Sequence, residues 1–223
     1  MTSCTLRNYG LAFILVLILC QILDYATSQT LSFVDLIRPH EIVQIIHLED
    51  LVAGLVTVAL IACVLLYFFA SQSTVYKAIL LTTLLSLFVL ILNAIGLLRS
   101  LIDRRIDPVY LLIDAAIVYI TTVLVFSTCY WVLDHESQQA RCSKREFTPV
   151  LVFPQNATTF PGYENWTPGF VDYLFLSFNT SATFGPTDTL ILSPRAKCMM
   201  ICQVALSLIV LIVLAARAVG ILR

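Results

Sequence analysis

Charged side chains are scarce in this chain: they make up 12% of its 223 residues, against 59% hydrophobic. Soluble domains carry roughly twice that share of charge, so a soluble single-domain enzyme is excluded. Neither sign dominates, with 13 basic and 14 acidic residues, so no one-sided field exists to hold a polyanion, and nucleic-acid partners are excluded as well. There are three histidines. His40 and His47 would lie about 10 Å apart along a helix, too far for one metal ion. The seven cysteines form no Cys-x-x-Cys, and Cys20, Cys63, Cys129, Cys198 and Cys202 lie in or beside apolar runs, where cysteine behaves as a small hydrophobe. No disulfide framework, redox pair or metal cluster is expected. Gly-x-Ser-x-Gly, His-Glu-x-x-His and phosphate-loop patterns are all missing, so neither an enzymatic activity nor a cofactor is expected.

What the chain has instead is long apolar runs and a mean hydropathy of +0.92. Four runs reach the roughly 20 residues that cross a hydrocarbon core: Leu51 to Ala70, Ala78 to Leu98, Val109 to Leu133 and Cys198 to Ala216. Asp114 is the one charge inside them, while Lys77, Arg99, Arg104, Arg105, Arg195 and Lys197 flank them, where cations reach headgroups. Tyr130 and Trp131 close the third run as an interfacial pair. The shorter run Tyr9 to Leu23 follows Arg7 and precedes Ala26-Thr27-Ser28. It reads as a retained first helix, with a cleaved signal peptide as the alternative. Leu31 to Asp50 mixes apolar residues with Asp35, Arg38, His40, Glu41, His47, Glu49 and Asp50, and suits an interfacial helix. The expected fold is an all-α integral membrane protein with about five transmembrane helices in a lipid bilayer. Its orientation is not set by charge. A channel-like arrangement puts Arg99, Arg104 and Arg105 inside, but Arg7, Lys77, Arg141, Lys144, Arg145, Arg195 and Lys197 outside.

The expected organisation is an N-terminal hydrophobic helix with an interfacial helix over 1–50, a three-helix transmembrane bundle over 51–133, an extramembrane loop over 134–166, and a membrane-entering segment with the last span over 167–223. The loop opens on Asp134-His135-Glu136-Ser137-Gln138-Gln139. Asn156, Asn165 and Asn179 begin glycosylation sequons, a pattern too short to imply modification.

The segment Trp166 to Asp188 carries the chemistry. Thr167 is placed to cap a helix that begins at Pro168, where a missing N–H costs nothing. The 13 residues from Pro168 to Thr180 rise only about 20 Å, against roughly 30 Å of hydrocarbon. Such a helix must turn back, at Gly185-Pro186, which predicts a re-entrant loop beside small residues Ser181, Ala182 and Thr183. Leu176-Ser177-Phe178-Asn179-Thr180-Ser181-Ala182-Thr183-Phe184-Gly185-Pro186-Thr187-Asp188, followed by a long apolar helix, resembles the pore helix, filter and inner helix of potassium-channel pore domains, whose filter reads Thr-Val-Gly-Tyr-Gly-Asp. Thr183, Gly185 and Asp188 match in register; Phe184, Pro186 and Thr187 depart. In that family two glycines let successive carbonyls face the ion. Thr187 stands where the second glycine would be and is expected to resist a positive φ, and Pro186 replaces the bracing tyrosine.

A wider resemblance covers most of the chain. Leu97-Leu98-Arg99-Ser100, Cys129-Tyr130-Trp131-Val132-Leu133-Asp134, Phe153-Pro154-Gln155, Asp172-Tyr173-Leu174-Phe175, Pro186-Thr187-Asp188-Thr189 and Ala215-Ala216-Arg217-Ala218-Val219 together resemble a group of uncharacterised bacterial integral membrane proteins. That group is similar to two-transmembrane ion-channel domains at its C-terminal end. The resemblance implies a bacterial inner-membrane setting, Ser177, Asn179, Thr180 and Ser181 on a pore helix, and Thr183, Phe184, Gly185, Pro186, Thr187 and Asp188 at a degenerate filter for monovalent cations. One loop per chain encloses no path, so a pore requires a homo-oligomer, most simply a tetramer. The alternative reading is a non-conducting scaffold or accessory subunit.

Asp114 and Arg217 fall at similar depth if the third and last long runs are antiparallel, and are expected to pair. Asn93 and Gln203 are expected to make interhelical hydrogen bonds.

Overall fold

The computed structural model describes residues 6–35, 43–102, 108–143, 148–157, 161–162 and 166–221. The elements are α1 (Leu6–Asp35), α2 (Val43–Phe69), α3 (Gln72–Ile102), α4 (Pro108–Cys142), β1 (Leu151–Val152), α5 (Pro154–Ala157), α6 (Phe170–Thr183), β2 (Leu190–Ile191) and α7 (Pro194–Ile221). Five of them are long and apolar enough to cross a membrane: Gly10–Thr27, Leu51–Phe69, Gln72–Arg99, Val109–Arg141 and Pro194–Ala216. The chain is an almost entirely helical integral membrane protein.

These helices are apolar on more than one face, the pattern of helices solvated by lipid. On α2, Leu51, Leu55, Val58, Ile61, Leu65 and Phe68 point outward, while Val52, Val56, Leu60 and Cys63 point inward. Threonines are tolerated because their hydroxyls donate to the carbonyl one turn back, as Thr83 does to Ile79 and Thr122 to Val118, both at 2.7 Å. Ser193 accepts the Ala196 N–H at 3.1 Å and Pro194 opens α7, so the start of the last span is written locally.

α4 is the hub, packed against α1, α3, α6 and α7. Its 35 residues rise about 50 Å, well beyond a 30 Å hydrocarbon core. The polar run from Asp134 is therefore about two more turns of α4 before any loop begins, and Asp134, His135, Ser137 and Gln138 are buried there. α1 joins the same core: Phe13 is fully buried and stacks on Trp131, with centroids 4.4 Å apart, and meets Phe170 and Tyr173 edge-on. The interfacial helix expected over Leu31 to Asp50 is not a separate element at its ends, since 31–35 continue α1 and 43–50 open α2. Residues 36–42, His40 among them, lie outside the described residues. Beyond the bundle, β1 and β2 pair antiparallel, Leu151 opposite Ile191 and Val152 opposite Leu190, tying the 134–166 region to the segment that leads into α7.

Candidate functional site

α6 begins two residues later than its sequence predicts. Pro168 lies outside the helix; Gly169 precedes its first turn, and the Asp172 carboxylate accepts the Gly169 N–H at 2.7 Å. This closes the turn from inside the helix, in place of the Thr167 cap expected from sequence. Burial pushes the Asp172 carboxyl above the usual carboxylate range, opposed by the backbone N–H groups of Gly169 and Asp172.

The helix is seated by a polar network at its middle. Gln203 of α7 is fully buried, and its Nε2 faces three acceptors on α6: the Ser177 carbonyl at 2.8 Å, Ser177 Oγ at 2.9 Å and Ser181 Oγ at 2.8 Å. Its Oε1 accepts the Tyr130 hydroxyl of α4 at 2.8 Å. Ser177 in turn donates to the Val123 carbonyl of α4 at 2.7 Å. Gln203 thus makes the interhelical bonds expected of it, and α4, α6 and α7 are linked through it. Higher on α6, the buried Tyr173 hydroxyl donates to Asp134 Oδ2 at 2.9 Å, an oxygen that also accepts the Gln138 amide. Burial, and then the Asp134 carboxylate beside it, hold the Tyr173 phenol well above its ordinary range.

This geometry divides the residues read as a pore helix. Ser177, Thr180 and Ser181 are buried, and their hydroxyls are engaged within the bundle. Asn179 is half-buried, and its carbonyl accepts the Thr183 hydroxyl at 2.8 Å.

The turn after α6 holds Thr183, Phe184, Gly185, Pro186, Thr187 and Asp188 together at the end of the helix. Thr183, Phe184, Thr187 and Asp188 are exposed, and Gly185 and Pro186 are half-buried. Its backbone differs from the sequence expectation. Phe184 and Thr187 take left-handed conformations, with φ of 61° and 53°, and Gly185 is not among the positive-φ residues. Thr187, expected to resist such a φ, adopts it, with its hydroxyl donating to the Pro186 carbonyl at 2.9 Å. A β-branched residue in that region is strained. One carbonyl of the turn already has an acceptor role within the chain: Pro186 O accepts the Thr189 N–H at 3.2 Å.

Asp114 is buried at 2% exposure on α4. The Arg217 side chain lies outside the described residues, and with it the expected ion pair. Asn93 of α3 donates to the Asp24 carboxylate of α1, the interhelical role expected of it. Asp24 lies just past the N-terminal apolar run as read from sequence, yet falls inside the span Gly10–Thr27. The described residues hold no group of three or more His, Cys, Asp or Glu able to bind a metal ion. No family model, curated protein or solved structure matches the chain.

Proposed function

We propose that the chain is a subunit of an oligomeric, channel-like membrane protein in the bacterial inner membrane. In this reading α6 is a re-entrant pore helix and Thr183 to Asp188 form a degenerate mouth for monovalent cations. The observation that carries it is the Gln203 network, which joins a short helix to two long ones and leaves the short helix's C-terminal turn exposed. A helix C-terminus carries partial negative charge and favours cations beside it. Apolar residues Ile201, Leu208 and Ile212 on α7, and Val171, Phe175 and Phe178 on α6, are exposed in the single chain and are available to neighbouring copies or lipid. The turn's own geometry supports weak selectivity. The Pro186 carbonyl, engaged within the chain, leaves one oxygen fewer to replace an ion's hydration shell.

The test is flux from liposomes that hold the purified protein, under opposed potassium and sodium gradients, with Gly185→Asp as the control. A Cβ at Gly185 meets nothing within 4 Å in the single chain, so the substitution alters the mouth without a clash inside the subunit. Cation flux that this variant changes supports the reading; silence from folded oligomers over a range of voltage and pH overturns it. The second reading, a non-conducting scaffold, is favoured by one observation: Ser177, Thr180 and Ser181 spend their hydroxyls on the bundle, as a purely structural helix would.

A further inference from the structure

Away from the α6 turn, a small polar cavity lies between α1, α3 and α4. It is lined by Gln21 and Asp24 of α1, Ser86 and Asn93 of α3, and Thr121 of α4, among apolar neighbours. It leaves about 10 Å³ for the centre of a water-sized sphere, room for a single water or small ion. We propose that this cavity is an intramembrane site for one small monovalent cation, a proton or a sodium ion, which neutralises Asp24 and exchanges with the medium.

Asp24 is 9% exposed and lies inside a membrane span. A bare carboxylate there is disfavoured unless something neutralises it. Among the described residues, its one hydrogen-bond partner is Asn93, which donates to Oδ1 and supplies no charge. Among the described residues, none bonds to Oδ2. Ser86, 8% exposed, lines the same space, and its hydroxyl also has no partner among the described residues. The remaining oxygens, on Gln21, Asn93 and Thr121, are hard donors suited to a proton-bearing water or a sodium ion. Other ionisable groups around Asp24 are few. Cys20 on α1 lines the cavity, and the Cys129 thiol of α4 lies next to Cys20. The α3 and α4 residues lining the cavity carry no ionisable group. On its other side, α1 faces α2 across an apolar cleft of about 500 Å³, to which α2 contributes Thr57, Leu60, Ile61, Val64 and Leu65. α6 meets α1 around Phe13, about 16 Å along the helix from Asp24.

The test is labelling of the purified full chain in lipid nanodiscs by dicyclohexylcarbodiimide, which adds to protonated carboxyl groups in apolar surroundings, read by peptide mass. A proton site predicts labelling at Asp24 that falls about tenfold per pH unit above its midpoint and is indifferent to sodium. A sodium site predicts labelling slowed tenfold or more by added sodium at fixed pH, with potassium less effective. Ser86→Leu, which fills the cavity, should reduce labelling in either case, and wild-type labelling alone decides if that variant fails to fold. No label at Asp24 at any pH, or labelling indifferent to both pH and sodium, overturns the proposal.

Discussion

Gln203 Nε2 sits 2.8 Å from Ser181 Oγ and 2.9 Å from Ser177 Oγ, so one amide on the last span reaches two hydroxyls one turn apart on the short helix before it. The spacing of four between the serines puts both on one helix face, and that face meets the amide of α7. Gln203→Leu removes the amide and leaves Tyr130 and both serines to find other partners in an apolar setting. It should lower stability by about 1–3 kcal/mol, read as a fall in the thermal midpoint in detergent. An unchanged midpoint would show that the network does not seat α6.

Tyr173 and Asp134 form the second tie between α6 and α4. Tyr173→Phe keeps the ring among Phe13 and Phe153 but removes the donor from a buried carboxylate. A loss of about 1–3 kcal/mol is expected, because the acceptor stays buried with one partner fewer. Combining Tyr173→Phe with Asp134→Asn, whose amide needs less stabilisation than a carboxylate, should cost less than the sum of the two single changes, measured as a double-mutant cycle.

Phe13 is the contact by which α1 enters the core. Phe13→Ala should destabilise by about 3–5 kcal/mol and shift Trp131 fluorescence, since it removes the ring stacked on the indole and opens a cavity. Leu15→Ala, at an outward position 56% exposed, should leave both unchanged within error.

Thr187 holds a left-handed φ that its β-branch disfavours. Thr187→Gly relieves that strain but gains freedom in the unfolded chain, so the expected net effect is a stabilisation of about 1 kcal/mol or less. If the turn is a filter, Pro186→Tyr with Thr187→Gly should also raise the potassium-to-sodium flux ratio. A conducting double variant with an unchanged ratio would remove the filter assignment from this turn.

Sequence alone determined that this chain lives in lipid and roughly where it crosses, because both follow from composition and from run length against a fixed hydrocarbon thickness. A turn at Gly185-Pro186 was legible too, since turn preferences act over a few residues, whereas the last run was read from Cys198 and α7 starts at Pro194. The backbone of Thr183 to Asp188 was not legible: Thr187 takes a positive φ with its hydroxyl bonded to the Pro186 carbonyl, which propensity does not contain. The pairings Asp134 with Tyr173, Asp24 with Asn93 and Gln203 with Ser177 were beyond it. Their partners lie 39, 69 and 26 residues apart, and periodicity says which face a residue occupies but not which helix faces it. Only the packing of α1, α3, α6 and α7 around α4 decided them. In a medium where most residues are apolar, burial gives little guidance to helix order, and the few polar groups that must find one another fix the arrangement.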